Sequence, residues 1–96
     1  MNIVYTRNHG LSPEQLRKIE AKFGKLAKMV ERNGEREARV ILKSERHLHH
    51  AEITMNLYDH PIVATASDGD RFTAISGAVE KMEAQAKKLM AKWRGT

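Results

Sequence analysis

Two stretches of the chain repeat apolar residues at helical spacing. In the first, Leu16, Ile19, Phe23, Leu26, Ala27 and Val30 recur every three or four positions. At ~100° per residue they gather into an arc of about 100°. Ser12-Pro13-Glu14-Gln15 precedes them. The serine can accept from free backbone amides, the proline fits the first helical position, and a glutamine three residues after the serine can close a capping box. Asn33-Gly34 supplies a stop, and the spacing predicts a helix over 13–32. In the second stretch Phe72, Ile75, Val79, Met82, Ala86, Leu89 and Trp93 form one stripe, with Gly95 behind it. Ser67-Asp68-Gly69-Asp70 precedes it and brings acids to a helix N-terminus. A helix over 71–93 is predicted. Phe23, Phe72 and Trp93 are expected in the core, and Met29 on the surface.

Between the helices the period is two. Ala51, Ile53, Met55 and Leu57 alternate with His50, Glu52, Thr54 and Asn56, the pattern of a strand with one wet face. Ala38, Val40 and Leu42 alternate with Arg39, Ile41 and Lys43 in the strand before it. Asp59-His60-Pro61 reads as a turn, and 62–67 as a further strand. Residues 2–6, with Ile3 and Tyr5 on one face, open the order β-α-β-β-β-α. One helical crossover followed by a meander predicts an α+β two-layer sandwich, a four-stranded sheet with both helices on one face.

Ninety-six residues suit a single domain, expected to span 1–96. The absence of cysteine excludes disulfides, thiolate metal sites and thiol nucleophiles. No window approaches the ~18 apolar residues of a spanning helix, and the N-terminus lacks the pattern of a signal peptide. There is no glycine-rich phosphate loop, no nucleophile elbow and no pair of carboxylates set for acid–base work, so an enzyme is not expected. His47, His49 and His50 raise a metal site, but two imidazoles on one face without a third ligand make a weak one, and Arg46 beside them repels a cation. A solvated loop that can touch RNA fits them better. No metal or cofactor is expected.

The net charge of +5 is helical in origin. Residues 13–32 hold six Lys/Arg against three acids, a net +3, and residues 71–94 hold six against two, a net +4, leaving the rest of the chain acidic. Lys18, Lys22, Lys25 and Arg32 fall within about 80° of one another on the first helix. Lys81, Lys88 and Lys92, with Gln85 among them, fall within about 60° on the second and are read as opposing its core stripe. The acids are read as lying outside both rows. Both helices cover one side of the sheet, so the two rows are expected to merge into one phosphate-tracking surface. With the apolar stripes buried, a membrane surface fits less well.

Ala21-Lys22-Phe23-Gly24-Lys25-Leu26 resembles the A-K-F-x-K-L signature of bacterial ribosome hibernation-promoting factors, also called ribosome-associated inhibitor, S30EA-like protein or sigma-54 modulation protein. Val40-Ile41-Leu42-Lys43 and Ala51-Glu52-Ile53-Thr54 match its strands. Asp70-Arg71-Phe72-Thr73-Ala74-Ile75 resembles D-M-Y-A-A-I, and Glu80-Lys81-Met82 with Gln85 and Lys88 resembles D-K-L-x-x-Q-x-x-K. The resemblance implies a fold like a double-stranded-RNA-binding domain and a cytoplasmic, non-enzymatic monomer. Such a protein lies in the small ribosomal subunit, against 16S ribosomal RNA of the 70S ribosome, and blocks messenger and transfer RNA sites in stress or stationary phase. It also implies a short form without the C-terminal dimerisation domain of long members. Lys22, Lys25, Lys81 and Lys88 both match motifs and lie in the rows, and are the first candidates for ribosomal RNA contact. Lys18, Arg32 and Lys92 follow, on the rows alone. His49 stands where some relatives also carry histidine. Arg71 and Ser76 depart from the pattern, the first from an apolar residue and the second from aspartate. The alternatives are a general double-stranded-RNA-binding module and a protein-interaction modulator of a sigma factor.

Overall fold

A computed structural model describes residues 1–6, 9–31 and 35–94, the side chains of residues 93 and 94 excepted. The order is β1 (Asn2–Tyr5), α1 (Pro13–Val30), β2 (Glu37–Glu45), β3 (Leu48–Leu57), β4 (His60–Asp68) and α2 (Arg71–Arg94). This is the predicted α+β sequence of elements.

Helix α1 starts where its capping chemistry says it should. The Gln15 backbone N–H donates to Ser12 Oγ at 3.1 Å, and the Ser12 N–H donates to Gln15 Oε1 at 3.1 Å, closing the box. Ile19, Phe23, Leu26 and Val30 are its buried stripe. The helix ends at Val30, with Glu31 as C-cap donating its N–H to Ala27 O, two residues short of the predicted end. The Asn33-Gly34 stop and Arg32 lie outside the described residues. At α2, Asp70 accepts from the Thr73 N–H at 3.0 Å and from Thr73 Oγ1 at 2.8 Å. Those two bonds, the hydroxyl's first, hold the Asp70 carboxyl below its usual range.

The sheet runs β1-β2-β3-β4, with β1 parallel to β2 and the other neighbours antiparallel. Register follows the period-two pattern. Ala38, Met55 and Ile62 form one cross-strand row, and Val40, Ile53 and Ala64 the next; all six are buried beneath the helices. The opposite face, with Arg39, Ile41, Lys43, His50, Glu52, Thr54, Val63 and Thr65, has no layer on it among the described residues. Asp59-His60-Pro61 is not the turn expected there. Tyr58 and Asp59, both at positive φ, turn the chain, and His60 and Pro61 already belong to β4. Two consecutive left-handed residues give the twist that a two-residue hairpin needs. Pro61 is tolerated because β4 is an edge strand.

Helix α2 packs on β3, β4 and α1. Ile75, Val79, Met82 and Ala86 are fully buried as expected. Ala74 and Ala78, outside the predicted stripe, are fully buried too. A Cβ on Gly77 would come within 3.3 Å of Ala66 Cβ in β4. Small residues on this side therefore set how closely α2 lies on the strand. Phe72, Leu89 and Met29 are half-buried and pack on the core, so Met29 is not the purely surface residue expected. Trp93 lies in α2, and its side chain is not among those described. Among the described residues no helix is long and apolar enough to cross a membrane.

Candidate nucleic-acid interface

Lys18, Lys22 and Lys25 lie on one flank of α1, and Lys22 shows which flank that is. Its Nζ donates to Glu80 Oε1 of α2 at 3.1 Å. The α1 row therefore borders the groove between the helices. Lys18 and Lys25 are exposed, and Lys22 is half-buried. Arg32, the fourth member of this row, lies outside the described residues.

The α2 row is placed by Gln85. Its Nε2 donates to the carbonyl of Val63 in β4 at 3.0 Å. Lys81, Lys88 and Lys92 share that flank by helical angle, and all three are exposed. They line the β4 side of α2, neither opposite its core stripe nor beside α1. This corrects two expectations. The rows do not merge; the exposed crest of α2, with Glu80, Ala84, Lys87 and Ala91, runs between them. Nor is the α1 row free of acids. Glu80 reaches Lys22, and Glu14 falls within about 20° of Lys25 on the wheel. Neither acid of α2 falls in the Lys81, Lys88 and Lys92 row, since Glu80 lies on the crest and Glu83 on the other flank. Wheel angles place residues about one helix, and only packing shows which flanks meet.

The histidines separate. His49 Nδ1 is 2.8 Å from Ser44 Oγ on the helix side of the sheet, and His50 Nδ1 is 2.6 Å from Ser67 Oγ on the open side. His47 stands in the exposed β2–β3 turn, one residue before β3 begins, so it does not share a strand face with His49. Among the described residues no three His, Cys, Asp or Glu side chains converge as metal ligands. The exposed Arg71 lays its guanidinium against Gly10, where a Cβ would overlap it. Ser76 is half-buried in the second turn of α2.

Shallow concavities lie on the open sheet face, one lined by Arg39, Thr54 and Pro61 and another by Lys43, His50, Glu52, Thr65 and Ser67, the second containing the His50–Ser67 contact. What the molecule offers is an outer helical surface carrying two cationic rows.

Comparison with known proteins agrees with that architecture. The N-terminal domain of Protein Y from Thermus thermophilus superposes with a TM-score of 0.73 at 27% identity, over 93% of this chain and 99% of that one. A ribosomal subunit interface protein from Coxiella burnetii superposes with a TM-score of 0.70 at 22% identity, over 95% and 99%, and so shares the fold. No curated protein matches the chain. The family described as sigma 54 modulation protein / S30EA ribosomal protein matches residues 3–94, which is nearly the whole sequence. On the fold, the helix motifs and this match, the chain belongs to the sigma 54 modulation protein / S30EA ribosomal protein family.

Proposed function

We propose that this protein is a ribosome hibernation factor that binds the small ribosomal subunit and blocks translation by occupying messenger and transfer RNA sites. The family match over residues 3–94 carries this reading, and the two lysine rows supply the physical means. Lys81, Lys88 and Lys92 form a line along one flank of α2, exposed for contact with a phosphate backbone. Lys18, Lys22 and Lys25 form a second line on α1, and Arg32 continues it in sequence. Neutralised phosphates release counterions, so binding weakens steeply with salt, by a log–log slope of ~0.7–0.9 for each phosphate engaged. The mechanism is occlusion by a cytoplasmic monomer, with no bond made or broken and no cofactor.

The test is sedimentation with purified small subunits and 70S ribosomes. The wild-type protein is expected to pellet with them. The triple variant Lys22→Glu/Lys25→Glu/Lys88→Glu is expected to stay in the supernatant while keeping its thermal unfolding transition. Unchanged pelleting of a folded triple variant refutes this surface. A short RNA duplex that competes as well as subunits favours a general double-stranded-RNA-binding module.

A further inference from the structure

The Lys22–Glu80 pair joins residues 58 positions apart, so only the packing of α1 against α2 creates it. It sits at the surface, with side-chain exposures of 32% for Lys22 and 64% for Glu80. A pair this exposed is weakly held and screened by salt. A phosphate oxygen offers the lysine ammonium the same charge-assisted bond as the carboxylate does. Phosphate and carboxylate cannot both sit close to Lys22 without repelling each other. Lys18 and Lys25 border the same groove, so a ribose-phosphate chain following the α1 row must pass Glu80.

Building on the ribosomal reading above, we propose that Glu80 sets the affinity of the α1 row for ribose-phosphate chains. It does so by occupying Lys22 and repelling a phosphate that approaches it. Glu80 acts through Lys22 and is a positioning residue that does not itself touch the RNA. It weakens the complex so that a bound factor can be released.

The test is a double-mutant cycle on Glu80 and Lys22, read by pelleting with purified small subunits from ~50 to ~200 mM salt. Glu80→Gln keeps the shape and frees one ammonium. It is expected to tighten binding about 3–10-fold near ~0.1 M salt and to steepen the salt slope by ~0.7–0.9, the value of one neutralised phosphate. In a Lys22→Gln background the same change is expected to lose most of its effect. Glu37→Gln, the same charge change on the far face of the sheet, is expected to tighten binding by less than about twofold, because the sheet separates it from the α1 row and salt screens the rest. Binding by Glu80→Gln that is unchanged or weaker, or a gain that persists without Lys22, overturns the inference alone. A wild-type protein that fails to pellet with subunits overturns the ribosomal reading and this inference with it.

Discussion

Two glycines in and beside α1 ask for opposite things from their Cα atoms. Gly24 is exposed in the middle of α1, and a Cβ there would meet nothing within 4 Å. Its only structural effect is the backbone freedom it gives the unfolded chain. Gly24→Ala is expected to raise stability by about 0.5–1 kcal/mol, read as a higher urea midpoint with unchanged slope. Gly10 has φ +65 and supports the Arg71 guanidinium. Gly10→Ala is expected to lower stability by about 1–2 kcal/mol from the left-handed backbone alone, with further loss as Arg71 is pushed off. The same urea series checks both, and equal shifts for the two variants would contradict this account. Arg71 marks a limit of one-dimensional reading. Its departure from the family pattern is visible in the sequence, but its seat on a glycine 61 positions earlier is not.

At the scale of elements, Glu31 ties three of them together. It caps the end of α1; its Oε2 accepts from the Arg36 N–H at 2.7 Å just before β2; and its Oε1 is 3.3 Å from the amino terminus just before β1. The Arg36 backbone bond is the main reason its carboxyl titrates below the ordinary value of 4.5, helped by the nearby amino group against a smaller cost of desolvation. A carboxyl held low in the fold contributes stability that is present above its unfolded value and lost as pH falls through its folded one. Glu31→Gln keeps an acceptor but cannot ionise. The wild type is expected to exceed this variant in stability at pH 7, with the gap narrowing as pH falls below about 4.5. Urea midpoints across that range test it, and a gap that stays constant would show that ionisation is not the source. Sequence periodicity located every element, and the capping box placed the start of α1. Neither found the β3–β4 turn, because Tyr58 and Asp59 adopt positive φ without the glycine that usually marks it. The Tyr58 ring centre lies 5.1 Å from the Arg36 guanidinium, a contact between the β3–β4 turn and the approach to β2 that no local pattern reveals.

Over the whole molecule, the basic character divides into two rows on either side of α2. One helix width is about 10 Å, close to a Debye length at ordinary salt, so the rows should behave as separate electrostatic units. Replacing Lys81, Lys88 and Lys92 with Gln, and separately Lys18 and Lys25, is expected to reduce the salt slope of subunit binding by ~0.7–0.9 for each lysine that had neutralised a phosphate. Combined, the two sets should add within about 0.5 kcal/mol. A salt titration of the three variants decides this. Complete loss of binding on removing either row alone would mean that both grip a single stretch of RNA cooperatively.

Composition and spacing alone determined that the positive charge is helical, that the apolar stripes face inward, and that the elements follow the order β-α-β-β-β-α. Those properties repeat along the chain at 3.6 or 2 residues, so a local reading captures them. Tertiary packing decided which flank of each helix meets the other. It thereby placed Glu80 against Lys22, turned the Lys81–Lys88–Lys92 row toward β4, and seated Arg71 on Gly10. The physical reason is that helical period gives the angles of side chains about one axis. The rotation of that axis against its neighbours depends on how Ala74, Ala78 and Gly77 let α2 settle on β4, and that is a property of two elements together.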